Sequence, residues 1–272
     1  MSNLTALPWS GSKSAATTGN GAGKYIAKLL PYDPHGVYCE PFAGMLGQLL
    51  GRPRSKVELV NDLDKCIINW WTVLRERPEE LVRAINFTPN SREEEWLCRE
   101  DAGDDLERAR RFTVRCSQKI MGSDTSSWTC SLNPAGFQPW ATLLGKCDDG
   151  RLYRIANRMR YVHLECRDAL EVCERVIAEP RALVYVDPPY PSAGYRMYKH
   201  ADDVDHSELE RLLIDAKAKV ALSGYPADHP DLHEHPNWYR FDMYAVVTAT
   251  VHQNIDRNRV ECLWTNYDPR AS

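Results

Sequence analysis

The chain has 272 residues with 43% hydrophobic and 26% charged content, the profile of a folded globular protein and not of a disordered, repetitive or fibrous one. A net charge of −4 and a pI near 6.1 exclude a protein that coats nucleic acid indiscriminately, because phosphate neutralisation needs an excess of lysine and arginine. Nine cysteines without a C-x-x-C pair fit reduced thiols in the cytoplasm rather than a disulfide framework or a structural zinc site, and no apolar run approaches a signal peptide or the roughly 18 residues of a membrane span.

Leu7-Pro8-Trp9-Ser10-Gly11-Ser12-Lys13 opens the chain as a turn-rich segment with one large aromatic and one lysine. A loop rich in Ser, Ala, Thr and Gly over 14–23 then leads into a short helix over 24–30. The stretch 37–50 reads as a short strand, an acid (Glu40), a glycine-bearing turn (Pro41, Phe42, Ala43, Gly44) and a helical run. This is the first βα unit of a Rossmann-like sheet, where a glycine lets backbone amides approach a cofactor at a helix amino terminus. The G-x-G-x-x-G pattern of a dinucleotide site is missing. The next strand, 57–60, ends at Asn61-Asp62-Leu63-Asp64, where a carboxylate commonly holds a ribose diol. Asp62 is the better candidate for that, with an N-cap for a helix over 65–75 as its alternative role.

Residues 83–161 are polar, irregular and aromatic in patches, without the buried strand runs on either side. They read as an inserted, mainly helical module between two α/β parts, 1–82 and 162–272. The module carries two basic clusters: Arg108, Arg110, Arg111, Arg115 and Lys119, then Arg151, Arg154, Arg158 and Arg160. An acidic chain could thereby present a positive cleft on one side, although each cluster also fits a solvated helix face. A helix over 106–119 precedes a polar loop, 121–128, ending in Trp128. Its glycine, hydroxyls and aromatic suit contacts to base edges and base faces.

The α/β pattern resumes at 163–170, where Asp168 is placed equally well to accept from a cofactor amine or to cap the helix over 170–177. The apolar run Leu183-Val184-Tyr185-Val186 ends abruptly at Asp187-Pro188-Pro189-Tyr190, a buried strand opening into a rigid loop at the sheet edge where ligands bind. Asp187 and a loop carbonyl can both accept from one amine, and Tyr190 offers a flat face for an extruded base. A helix over 207–218 and a strand over 219–222 follow. The segment 228–235, with His229, His233 and His235 among prolines and acids, reads as a solvated loop and not a metal site. Alternating stretches 244–251 and 259–267, joined by a polar turn at 254–258, close the chain as a β-hairpin.

Together these motifs resemble the Dam-like, phage-associated class of N6-adenine DNA methyltransferases, in the order of cofactor motifs, recognition insert and catalytic tetrapeptide, over nearly the whole chain. Asp187-Pro188-Pro189-Tyr190 resembles the catalytic D-P-P-Y, Glu40-Pro41-Phe42-Ala43-Gly44 the cofactor motif, and Asn61-Asp62-Leu63-Asp64 the ribose-binding turn. Pro8-Trp9 through Lys13 is similar to the amino-terminal P-W-x-G-G-K, and Gln118 through Trp128 to part of the recognition insert of phage members. Ser12 replaces that motif's second glycine, the loop over 14–23 is longer than its counterpart, and Leu46 replaces the second glycine of F-x-G-x-G, which would reshape the methionine end of the site.

The resemblance implies an α/β fold in which a Rossmann-like S-adenosylmethionine-dependent methyltransferase sheet has helices on both faces, a C-terminal β-hairpin and an inserted helical DNA-recognition domain. It further implies S-adenosylmethionine bound by Trp9, Lys13, Glu40, Pro41, Phe42, Ala43, Gly44, Asp62, Asp168 and Asp187, with no metal. Double-stranded DNA would be contacted by Arg115, Gln118, Lys119, Ser126, Ser127 and Trp128 of a monomer or weak dimer, within a restriction–modification pair, as an orphan or in a phage. Transfer to N6 of a flipped adenine would use Asp187, Pro188, Pro189 and Tyr190. N4-cytosine methylation and a silent DNA-binding module of the same fold are the alternatives.

Overall fold

A computed structural model of the chain describes residues 4–9, 12–14, 21–100, 102–119, 128, 132–133, 138–191, 200–244 and 260–271. Its centre is a seven-stranded sheet of β1 (Val37–Glu40), β2 (Val57–Asn61), β3 (His163–Glu165), β4 (Ala182–Val186), β5 (Lys219–Gly224), β6 (Tyr239–Tyr244) and β7 (Val260–Thr265). The order is β3-β2-β1-β4-β5-β7-β6. The first five strands run parallel, while β7 lies antiparallel between β5 and β6. The order reverses between β1 and β4, and the crevice beyond their carboxyl ends is where open α/β sheets bind ligands.

Strand periodicity builds the layers. Along β4, Leu183 and Tyr185 enter one buried cluster and Val184 and Val186 the other, since successive side chains point to opposite faces. The second cluster is covered by α8 (Ala169–Ile177) and α9 (His206–Ile214), through Val172, Val176, Leu209 and Leu213. On the opposite face lie α1 (Ala22–Leu29), α2 (Lys65–Glu76), α3 (Pro78–Asn86), α5 (Asp105–Ser117), α6 (Pro139–Asp148) and α7 (Arg151–Met159), with α4 (Arg92–Leu97) packed against α5. Burying each such Val or Leu contributes about 1.5–3 kcal/mol, and both faces of the sheet gain in this way.

Among the described residues between β2 and β3, the helices α2, α3, α5, α6 and α7 share their interior with the sheet. Leu81, Phe112, Leu143 and Leu152 belong to the same cluster as Tyr38, Val60 and Leu183. Trp70 of α2 donates its indole N–H to Thr113 Oγ1 of α5 at 2.8 Å, a buried polar tie across that packing. Asp64, Ser91, Asp104, Asp168 and Asp205 each accept a backbone N–H at a helix start, worth about 1 kcal/mol apiece.

Three expectations change. The run after Gly44 is not a helix: Gly44 and Leu46 have φ of +45° and +53°, left-handed values that interrupt a right-handed helix, and only a 3-10 turn at Leu49–Gly51 follows. The segment 228–235 is not a solvated loop, because it forms the short helix α10 (Pro230–Glu234) and wholly buries His229. The last strand pair begins earlier than its alternation suggests, at Tyr239, and the expected turn at 254–258 lies outside the described residues. Among the described residues no helix is long and apolar enough to cross a membrane, and no group of three or more His, Cys, Asp or Glu could hold a metal ion.

Candidate active site

The fully buried strand β4 delivers Asp187 to the sheet edge, and the two prolines that follow hold the turn. The Tyr190 hydroxyl folds back to donate to Asp187 Oδ1 at 2.6 Å and to Glu261 Oε1 of β7 at 2.8 Å. Lys13 Nζ lies 2.9 Å from Glu261 Oε1, 3.7 Å from Asp187 Oδ1 and 5.0 Å from the centre of the Tyr190 ring. Tyr225, just past β5, meets Tyr190 edge to face at 5.3 Å between ring centres. Burial raises the Asp187 carboxyl above its ordinary pKa, although the Lys13 ammonium and the Tyr190 hydrogen bond oppose the shift. Burial and the neighbouring carboxylates likewise hold the Tyr190 phenol in its neutral form.

Across the crevice, the loop after β1 is built around Gly44. Its N–H donates to Asp62 Oδ2 at 2.9 Å, and its carbonyl accepts from Trp71 Nε1 at 2.9 Å. A Cβ on Gly44 would come 3.0 Å from Trp9 Nε1, so the indole closes on a position that only glycine leaves open. Asp62 Oδ1 accepts from the Asp64 amide at 3.0 Å, and burial pushes the Asp62 carboxyl up to about 6. A carboxylate has about four acceptor sites, so each Asp62 oxygen keeps capacity beyond its one amide. The helix-capping role belongs to Asp64, whose Oδ1 accepts from Cys66 N at 2.8 Å.

Glu40, expected among the cofactor contacts, ends β1. It is buried beneath the loop, where Oε1 accepts from the Tyr38 hydroxyl at 2.8 Å and the Leu49 amide at 2.7 Å. Desolvation pushes its carboxyl up to about 7. Pro41 accepts from Asn61 Nδ2 at 3.0 Å and the Ala43 amide donates to the Asn61 carbonyl at 2.8 Å, fixing the β1 loop to the end of β2. Phe42 packs half-buried against the cluster on the α8–α9 face. Asp168 caps α8 through Leu170 N at 2.8 Å, which settles one of its two expected roles. The backbone of Lys13 is held by Gln48, whose Nε2 donates to the Gly23 carbonyl at 2.9 Å and also to that of Lys13.

The basic helix α5 does not present a row of free cations. Arg110 is paired with Glu94 at 2.6 Å and Glu107 at 2.7 Å, Arg111 with Glu107 at 2.8 Å, and Arg108 with Asp105. The two arginines hold the Glu107 carboxyl down to about 2. Arg115 donates to the Cys98 carbonyl at 2.9 Å, and buried Gln118 donates to that of Pro89 at 2.8 Å. Lys119, also buried, lies 3.5 Å from Glu95. In the second cluster Arg151 and Arg154 pair with Asp149, and Arg158 with the buried Glu58. Most of these guanidinium groups are thus held by carboxylates, of the helical module and, for Arg158, of β2, as charges taken out of water require. Trp128 is half-buried, donates to Asn90 Oδ1 at 3.0 Å and carries the Arg92 guanidinium 5.3 Å over its ring. Ser126 and Ser127 lie outside the described residues.

Sequence reasoning missed Glu261. Its signal was an acid inside the apolar strand Val260-Glu261-Cys262-Leu263-Trp264, a position where burial demands a partner. Asn61 was read only as part of a turn, yet its side chain clasps Pro41 and Arg167 on both sides of β2.

Residues 9–249 match the family model described as D12 class N6 adenine-specific DNA methyltransferase. No curated protein matches the chain. One solved structure, described as a conserved hypothetical protein of Streptococcus pyogenes, is similar at 10% sequence identity with a TM-score of 0.33, covering 90% of this chain and 94% of that one, a likeness too distant to bear on function.

Proposed function

The chain belongs to the D12 class of N6 adenine-specific DNA methyltransferases, and from that premise we propose that it binds S-adenosylmethionine across the β1 and β2 loops and methylates an adenine turned out of duplex DNA against Asp187 and Tyr190. The observation that carries this reading is the placement of Asp187 at the end of β4 beside β1, whose loop is bonded to Asp62 through Gly44, at the crevice where the strand order reverses. The residues suit the cofactor. Asp62 retains acceptor capacity for a ribose diol, and Gly44, whose missing Cβ admits the Trp9 indole, holds the β1 loop in its left-handed turn against Asp62. Bound there, S-adenosylmethionine would supply an electrophilic methyl group.

Asp187 and the Pro188 carbonyl accept the two hydrogens of the adenine N6 amine, drawing the nitrogen lone pair out of ring conjugation toward the methyl group. Tyr190 and Tyr225 make an aromatic corner in which a base can stack, recovering about 1–3 kcal/mol of the few kcal/mol spent on unstacking. Most of the acceleration then comes from orientation and from acceptors fixed where positive charge develops on nitrogen. With the α5 arginines neutralised internally, the exposed Arg92 above Trp128 becomes the preferred DNA contact of the helical module.

The test is incubation with methyl-labelled S-adenosylmethionine and unmethylated DNA, followed by digestion to nucleosides. Labelled N6-methyladenine is expected from the wild type and none from Asp187→Ala, which should still bind the cofactor. Turnover retained by Asp187→Ala would remove Asp187 from the reaction, and label in cytosine would refute the adenine pocket.

A further inference from the structure

Glu261 is the one acid in β7 and is 5% exposed. A carboxylate in such a place costs several kcal/mol unless paired, and both partners shown for it belong to the catalytic loop and the amino-terminal segment: the Tyr190 hydroxyl at 2.8 Å and the Lys13 ammonium at 2.9 Å. Those same two groups also reach Asp187, at 2.6 Å and 3.7 Å. Tyr190 has a single phenolic proton and two carboxylate acceptors within hydrogen-bond distance, so it cannot bond fully to both at once.

We propose that Glu261 is a positioning residue for methyl transfer, holding the Tyr190 ring and Lys13 in place and taking the Tyr190 hydrogen bond when Asp187 turns to the adenine amine. The inference rests on the reading of Asp187 as the amine acceptor. With Tyr190 donating to Asp187, one acceptor site of Oδ1 is taken beside the Lys13 ammonium. Once the hydroxyl donates to Glu261 alone, that site is released to the amine, and the tyrosine ring stays anchored for stacking. Glu261 touches neither substrate nor cofactor in this scheme. No covalent bond is made or broken at it, and the phenolic proton stays on Tyr190 throughout.

The experiment measures single-turnover transfer from labelled S-adenosylmethionine at saturating cofactor and DNA for wild type, Glu261→Ala, Glu261→Gln, Tyr190→Phe, the Glu261→Ala/Tyr190→Phe pair and Asp187→Ala, with cofactor titration and thermal melting of each. Glu261→Ala should transfer about 10²-fold more slowly at saturating cofactor, the scale set by an ångström of misplacement. Glu261→Gln, which keeps an acceptor for Tyr190, should recover part of that loss. The double variant should be slower than Tyr190→Phe by much less than Glu261→Ala is slower than wild type, because both act through one hydrogen bond. Transfer at the wild-type rate in Glu261→Ala, or fully multiplicative losses, would overturn the role. If Glu261→Ala does not melt cooperatively, Glu261→Gln combined with Tyr190→Phe completes the same cycle, and multiplicative losses there overturn the role in the same way. A wild type that makes no labelled adenine, or an active Asp187→Ala, overturns the site assignment together with this role. A dead Asp187→Ala beside a fully active Glu261→Ala overturns the role alone.

Discussion

Leu46 sits where a glycine would be expected, and the backbone still takes the glycine conformation. Its φ of +53° costs on the order of 1 kcal/mol for a residue with a Cβ, yet its side chain is wholly buried in the cluster with Tyr38 and Leu49. The loop is thus shaped by Gly44 and Leu46 together, one supplying space beneath Trp9 and the other an apolar anchor. Leu46→Gly should relieve the backbone but lose the anchor, which is worth about 3–5 kcal/mol on truncation. A net loss of about 2–4 kcal/mol in denaturant unfolding is expected, and an unchanged or higher stability would show that strain outweighs packing here.

At the scale of elements, the amino-terminal segment is tied to three others. Lys146 of α6, almost fully buried, donates to the Ala6 carbonyl at 2.6 Å. Trp9 lies 5.9 Å from the Phe112 ring of α5, and Lys13 reaches β7. Burial pulls the Lys146 ammonium down to about 8 from 10.5. Between those values the unfolded chain binds the extra proton, so this group adds stability as pH rises from about 8 to 10.5, on the order of 3 kcal/mol in all. Below pH 8 both states are protonated, and the cost of the buried charge is carried in full. Lys146→Met should therefore remove that rise, read as the difference between wild type and variant in unfolding at pH 7 and pH 10; parallel curves would contradict it.

The elements legible in the sequence were those with an abrupt stop or a strong charge bias: β4 before its proline pair, β2 before its acids, and α5 as a basic helix. The Asp187 loop was legible for the same reason, and Asp62 and Gly44 through their distance from strand ends. What stayed hidden depended on tertiary partners. The pairing of Arg110 turned on Glu94 of α4, and burial of His229 turned on packing beside Trp264. The helix anticipated after Gly44 failed because local apolar spacing was overridden by two left-handed residues.

Taken whole, the molecule is acidic and spends much of its arginine on itself. With a net charge of −4 and most arginines of the two helical clusters held by carboxylates, DNA affinity should fall with salt less steeply than for proteins making 6–10 phosphate contacts, whose affinity drops about 10³–10⁵-fold between 50 and 200 mM salt. Titrating binding over that range checks this, and a slope as steep as theirs would mean that the internal ion pairs open to meet phosphate. The two buried clusters cover both faces of the sheet, while the site itself is assembled from segments remote in the chain: Lys13, the β1 and β2 loops, Asp187 and β7.

The pairing of Lys13 with Glu261 also sets a clock on synthesis. At about 5–20 residues per second, the ribosome makes the lysine roughly 10–50 s before the glutamate that receives it. Through that interval a nascent chain can already carry the cofactor loops and the Asp187 turn, but Tyr190 lacks its second anchor and the sheet lacks the strand between β5 and β6. The arrangement around Tyr190 is therefore complete only once β7 has been made.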